Sequence, residues 1–283
     1  MPYIDVPTTG GLTKAHYLVS GHGPGLVLVH GTGATAQDNW GPLMAELSDR
    51  YTIVAPDLQG SGATRDPGGP LAVTDMVAVV LAAARDAGLD RFHLVGHSLG
   101  AVVATAAAAL HPEAVTSLTA HAGWVRTDPH MAFQFDLWRQ LAGTDPDGLA
   151  RLILLTALGK DTLRAWDEET FAQAAAGFAE LITGAVDGFV RQTATDTDVD
   201  LTALLPHITA PTLLLSSADD RLVPPHHQLD LAERIPHARL LRVPGGHALP
   251  GEHPELLTAK VAEHLAQVDS ARTGRLSESA QGD

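Results

Sequence analysis

Arg91-Phe92-His93-Leu94-Val95-Gly96-His97-Ser98-Leu99-Gly100, followed by the alanine-rich run 101–110, is the stretch whose reading decides the fold. Residues 92–95 form a short apolar run of strand type, and 101–110 is apolar all round, so a buried strand feeds a buried helix. Ser98 then falls on the turn between them. Gly96 and Gly100 occupy the two positions where a side chain would collide with a neighbouring strand or helix if that turn is sharp. This is the pattern of a nucleophile elbow: a serine on a strained corner, its hydroxyl exposed and the next backbone N–H facing a developing oxyanion. The short motif is only moderately specific, and the strand before it and helix after it carry the reading.

Working outward, the same rhythm repeats on both sides. Residues 3–7 and 14–20 read as two strands around the turn cluster Thr8-Thr9-Gly10-Gly11, which predicts a hairpin. Leu26-Val27-Leu28-Val29 is a continuous apolar run, as expected for a strand covered on both faces, and it ends in His30-Gly31-Thr32-Gly33. A helix over 37–47 with Asp38 as N-cap, a strand over 51–55, a loop over 56–64 and a helix over 73–87 ending at Gly88 lead into the elbow strand. The alternation of strand and helix predicts an α/β fold with a mostly parallel central sheet flanked by helices.

After a strand over 115–122 the rhythm fails for about eighty residues. Helical faces replace it: Phe133, Leu137 and Leu141; Leu149, Leu152 and Ile153; then Phe171, Phe178, Ile182, Val186 and Phe189. Strands over 212–216 and 239–243 and helices over 225–234 and 254–267 restore it. The expected division is therefore a core from residues 1–123 and 207–268, an inserted helical cap over 124–206 and a disordered polar tail over 269–283.

Composition narrows the function classes. A net charge of −15 makes nucleic acid and anionic membrane surfaces unfavourable partners, and zero cysteines exclude a thiol nucleophile or a cysteine-ligated metal. No run approaches the roughly 18 apolar residues of a membrane span, and the N-terminus lacks the order of a signal peptide, so a cytoplasmic protein is expected. The 15 histidines are scattered without helical zinc spacing, and His226-His227 reads as a solvated pair, so no metal is expected.

A serine hydroxyl is a weak nucleophile at neutral pH and needs a base, which in turn needs an orienting carboxylate. Such partners belong in loops after later strands of the sheet. The strand over 212–216 runs into Asp219-Asp220, and the strand over 239–243 runs into Gly245-Gly246-His247, giving the chain order Ser, Asp, His. Either aspartate can serve on this reading. His30 reads as a support for the glycine loop after it, His97 and His121 as packed, hydrogen-bonded side chains, and Asp57 as a turn stabiliser.

Taken in order over residues 3–267, His-Gly-Thr-Gly at 30–33, Pro-Asp-Leu-Gln-Gly-Ser-Gly at 56–62, Gly-His-Ser-Leu-Gly at 96–100, Asp-Arg-Leu-Val-Pro at 220–224 and Gly-Gly-His at 245–247 resemble the serine-hydrolase branch of the α/β-hydrolase-fold superfamily, with a helical cap. The resemblance implies Ser98 as nucleophile, His247 as general base and acid, and Asp220, which matches the pattern together with Val223-Pro224, as the carboxylate. It also implies an oxyanion hole from the backbone N–H groups of Thr32 and Leu99. Gln59 and Ser61 stand where the family more often has Arg and His. Trp124, Met131, Phe133, Phe135 and Trp138 concentrate large side chains in the cap of a chain that is 5% aromatic, and are expected to wall an apolar pocket. The implied activity is hydrolysis of an ester or lactone of a small molecule through an acyl-enzyme, without cofactor. Carbon–carbon bond hydrolysis, acyl transfer or elimination on the same triad, and a slow-turnover ligand receptor, are the alternatives.

Overall fold

The computed structural model describes residues 2–279. Its strands are β1 (Tyr3–Thr8), β2 (Gly11–Ser20), β3 (Gly25–Val29), β4 (Thr52–Pro56), β5 (Phe92–His97), β6 (Val115–His121), β7 (Thr212–Ser217) and β8 (Arg239–Val243). They form one sheet in the order β1-β2-β4-β3-β5-β6-β7-β8. Pairings from β4 through β3, β5, β6 and β7 to β8 are parallel, while β1 with β2 and β2 with β4 are antiparallel. The elbow strand β5 is therefore central.

Every residue of β3, β5, β6 and β7 is buried, because helices cover both faces of the sheet. Alternation assigns the side chains: Val27 and Val29 of β3 join the core shared with α2 (Val73–Asp86) and α3 (Leu99–Leu110), whereas Leu26 and Leu28 join the core shared with α1 (Ala36–Leu47) and α11 (Pro254–Ser279). α3 is the alanine-rich run, buried from Leu99 through Ala109. Its small side chains let it lie close against the strands, which sets the height of Ser98 above the sheet.

Five α-helices lie between β6 and β7 among the described residues, α4 (Pro129–Ala142), α5 (Pro146–Ala157), α6 (Lys160–Ala165), α7 (Glu168–Gly184) and α8 (Val186–Thr197), followed by a 3₁₀ turn at Leu205–His207. Asp128, Asp145 and Asp167 cap three of them by accepting from Met131, Gly148 and Thr170 N–H groups, and prolines open α4 and α5. Two remaining helices, α9 (His226–Arg234) and the short α10 (Leu249–Glu252), follow β7 and β8. Among the described residues, no helix is long and apolar enough to cross a membrane.

Four expectations are corrected. The apolar face 171–189 is two helices, broken at Ala185, whose φ of −138° leaves the helical region. On α4 the buried face is Met131, Phe135, Trp138 and Ala142, spaced i, i+4, i+7 and i+11, so Phe133 lies on the opposite side and is 77% exposed. Burial of Met131 and Phe135 contributes roughly 1.5–3 kcal/mol each, which Phe133 does not gain. Thr35 caps α1 with Asp38 as its reciprocal partner in a capping box, rather than Asp38 itself. The segment from Asp269 to Ser279 continues α11, because Asp269 accepts from Tyr51 at 3.2 Å and meets His93 at 3.1 Å, and Arg272 donates to Thr116. The rest of the expected tail, residues 280–283, lies outside the described residues.

Candidate active site

Ser98 sits between β5 and α3 with φ 55° and ψ −123°, a conformation L-residues rarely adopt. Close approach of backbones forces it. A Cβ on Gly96 would stand 2.2 Å from the Gly100 carbonyl oxygen, and one on Gly100 would stand 2.1 Å from that of Val29. The Ser98 N–H donates to His121 O at 3.0 Å, which ties the corner to the end of β6.

After β7, Asp220 is buried and fully hydrogen-bonded. Its Oδ1 accepts from the N–H groups of Leu222 and Val223 at 2.9 and 2.8 Å, and its Oδ2 lies 2.9 Å from His247 Nδ1. Asp219 instead pairs with exposed Lys160 at 3.2 Å, so the structure brings Asp220 to the imidazole. With Nδ1 carrying its proton toward the carboxylate, Nε2 of His247 is left as the accepting nitrogen. His247 is held in a loop gripped by Glu252, which accepts from Gly246 N–H at 2.9 Å with one oxygen and from Gly159 N–H and Thr162 with the other. The end of α5 presses on the same loop: a Cβ at Gly246 would stand 2.2 Å from Ala157 O.

Ser98 and His247 line one cavity of about 320 Å³, at the small end of ligand sites. Phe135 and Trp138 contribute to its wall, together with Ile153, Leu154, Phe178 and Phe189. Phe133 is not in the wall, for the reason of helical phase given above. Trp124 and Met131 are buried but not in the wall either; the Trp124 ring backs Phe135 at 6.1 Å between centroids.

The glycine loop after β3 crosses the same cavity and packs against the elbow, so that a Cβ on Gly31 would lie 3.0 Å from Ser98 Cβ. Gly31 N–H donates to Asn39 Oδ1 at 2.8 Å and Gly33 N–H to Gln192 Oε1 at 2.9 Å, fixing both neighbours of Thr32. Leu99 follows Ser98 as the first residue of α3, where helix N–H groups have no partner within the helix. His30 holds the loop from behind: Nδ1 donates to Gly31 O at 2.8 Å and Nε2 accepts from Leu58 N–H at 2.9 Å. Those partners set one neutral tautomer, and burial lowers the pKa. Asp57 steadies the adjacent turn by accepting from Ala36 and Ala63 N–H groups and pairing with His16 at 2.8 Å.

His97 and His121 stack with Nδ1 atoms 2.9 Å apart, and His121 Nε2 reaches Ser217 Oγ at 2.8 Å. Burial pushes His121 down to about 3 and His97 well below its ordinary range, so both are neutral at physiological pH. His97 is hydrogen-bonded as expected, yet it also lines the cavity, 4.9 Å between ring centroids from His247.

Residues missed by sequence reading come mainly from α8. Asp196 is 1% exposed, lines the cavity and accepts from Thr32 Oγ1 at 2.7 Å through Oδ2. Burial pushes its carboxyl up to about 7, against the pull of the Thr32 hydrogen bond and the charge of His247. Gln192 and Asp196 fall on the buried stripe of α8 with Phe189, and polar residues on an apolar stripe were the signal available.

Because Asp196 ionises more readily when unfolded, at its ordinary 3.8, the stability it lends is complete at low pH and is lost as pH rises through about 7. Asp196→Asn is therefore expected to gain on the wild type by about 2–3 kcal/mol between pH 5 and pH 8. Denaturant midpoints at the two values check this, and a constant difference would refute the raised ionisation.

Outside the cavity wall, Asp128, His226 and His227 place ligand atoms within 4.8 Å of one another and could hold a metal ion. His227 is buried rather than solvated, which corrects half of the expected pair.

A family profile described as alpha/beta hydrolase fold matches residues 24–254. Pyrrolizixenacetamide deacetylase of Xenorhabdus hominickii is 36% identical over 246 residues, covering 87% of this chain and 92% of that protein. A candidate carbamate hydrolase, RutD of Azorhizobium caulinodans, is 29% identical over 276 residues, 95% and 100% of the two chains. Among solved structures, the enol-lactonase from Burkholderia xenovorans LB400 superimposes with a TM-score of 0.82 at 23% identity, over 94% of this chain and all of that one, a likeness of fold. The parallel sheet, the glycine-flanked serine and these similarities together establish that the chain belongs to the alpha/beta hydrolase fold family and is a hydrolase.

Proposed function

We propose that the protein is a serine hydrolase that cleaves an ester, lactone or amide of a small, mostly apolar molecule through an acyl-enzyme on Ser98. One observation carries this reading: His247, paired with Asp220 at 2.9 Å, lines a cavity of about 320 Å³ together with a serine held at positive φ. That volume suits a small molecule, and the aromatic wall suits an apolar one. The deacetylase and the carbamate hydrolase to which the chain is similar also act on acyl-type carbon.

In the first half-reaction His247 Nε2 takes the Ser98 hydroxyl proton as Oγ bonds to the acyl carbon. The oxyanion forms against the N–H groups of Thr32 and Leu99, each donor being worth about 10²–10³-fold in rate. Collapse expels the leaving group, which receives the same proton from His247. Water then loses a proton to His247 and attacks the acyl-enzyme, releasing a carboxylic acid and restoring the Ser98 hydroxyl. Asp220 keeps the imidazole in the tautomer that both halves need.

A serine-directed fluorophosphonate followed by peptide mapping tests the assignment. Adduct on Ser98, with repeated turnover of short aryl esters, is expected. Adduct elsewhere would remove the nucleophile. One burst of product with no steady state would favour the receptor reading instead.

A further inference from the structure

Cap helix α8 reaches the loop that carries Thr32 at three places on one face. Phe189, Gln192 and Asp196 are spaced i, i+3 and i+7 and so share a stripe. The Phe189 ring lies against Gly33, where a Cβ would meet it at 2.7 Å. Gln192 Oε1 accepts from Gly33 N–H at 2.9 Å, and its amide group donates to Gln59 O at 2.8 Å and Ser61 Oγ at 2.9 Å. Asp196 Oδ2 accepts from Thr32 Oγ1 at 2.7 Å, while its Oδ1 is buried with no hydrogen-bond partner among the described residues. At the helix start Gly188 rests on the backbone of Gly60, where a Cβ would stand 1.9 Å from the carbonyl oxygen. Gln192 and Asp196 are both buried, so these contacts do not compete with bulk water.

We propose that Asp196 and Gln192 are positioning residues that hold the Thr32 amide in the oxyanion hole, so that the hole is complete only while α8 is docked. The proposal rests on the reading of Ser98 as nucleophile. Loop residues 31–33 include two glycines, and without the side-chain anchors the backbone at 32 has several conformations within reach. The peptide that carries the Thr32 N–H is held on its near side by His30 at the Gly31 carbonyl and by Asn39 at the Gly31 N–H, and α8 supplies the anchors on the far side, at the Thr32 hydroxyl and the Gly33 N–H. Ser61 fits this scheme because its hydroxyl receives Gln192. Protonation of Asp196 at Oδ1, the oxygen without a partner, leaves the Oδ2 acceptor intact.

Misplacing an oxyanion donor acts on the transition state more than on the bound substrate. Thr32→Val and Asp196→Ala are each expected to lower kcat for a short aryl ester by about 10- to 100-fold with KM within about threefold. Thr32→Ser and Asp196→Asn keep the donor and the acceptor, and are expected to stay within about threefold of wild type in kcat. The double variant Thr32→Val/Asp196→Ala should be no slower than either single one. Phosphonylation of Ser98 in the same proteins gives a second readout, because its transition state also places an oxygen in the hole. If the wild type is labelled on Ser98 and the variants label and turn over at its rate, the positioning role is refuted while the nucleophile stands. If Thr32→Ser or Asp196→Asn fails as badly as Thr32→Val, the role is one of packing and the proposal falls. Absence of Ser98 label in the wild type would overturn the underlying reading and this proposal with it.

Discussion

Ser98→Ala is expected to lower hydrolysis of a short aryl ester by ~10⁴- to 10⁶-fold while moving the thermal midpoint by no more than about 2 °C. The two halves of this expectation have separate causes. Loss of Oγ removes the bond-forming atom, and the residual rate is whatever the oxyanion donors and the cavity supply alone. Stability is spared because alanine keeps a Cβ at the same φ of 55°, so the strain of the corner is unchanged and the glycines that permit it are untouched. His247→Ala should lose a similar factor, and the double variant should lose little more, since neither group works without the other.

Asp220→Asn separates geometry from protonation in the same assay. The Asn oxygen would stay with the N–H groups of Leu222 and Val223, which leaves its NH₂ facing His247 Nδ1. The imidazole must then accept at Nδ1 and carry its proton on Nε2, where it cannot take one from Ser98. A loss of ~10⁴-fold follows from the wrong tautomer. Steady-state rates at matched protein concentration check all four variants, and wild-type turnover by Ser98→Ala would end the acyl-enzyme mechanism.

The second large effect lies in the fold. Gly100→Ala would place a methyl group 2.1 Å from Val29 O and 2.5 Å from His30 O, both backbone atoms of the strand end that leads into the glycine loop 31–33. Neither can rotate away. α3 would have to lift off β3, opening the most completely buried part of the core, at about 3 kcal/mol or more out of a typical 5–15. Loss of soluble protein, or a fall in denaturant midpoint of that size, is the expected result. Gly177→Ala on exposed α7, where nothing lies within 4 Å of the added methyl, is the matched control and should gain about 0.5–1 kcal/mol. Equal midpoints for the two variants would show that the close approach at Gly100 does not limit the fold.

Much of the site was readable because its signals are local. Gly96, Ser98 and Gly100 lie within five residues, and the steric reason for Gly96 is local, the Gly100 carbonyl, while that for Gly100 is the end of the neighbouring strand at Val29 and His30. Asp220 was separable from Asp219 only through its match with Val223-Pro224, and the geometry that distinguishes them is local too: Asp220 accepts from Leu222 and Val223, two and three residues on. The cap was less legible. Met131-Phe135-Trp138 and Phe133-Leu137-Leu141 are both apolar helical stripes, and periodicity shows that a helix has faces without showing which one is covered.

From the residues alone came the alternating architecture, the strained corner at Ser98 and the order in which serine, aspartate and histidine follow one another, because short-range sterics and hydrophobic period govern all three. Tertiary structure alone decided which aromatic side chains wall the cavity, that Glu252 bridges the His247 loop to α6, and that Gln192 and Asp196 reach Gly33 and Thr32 across 159 and 164 residues of chain. Those contacts join polar groups whose neighbours in sequence are indifferent to them, and only the docking of α8 on the loops after β3 and β4 brings donor and acceptor together out of water.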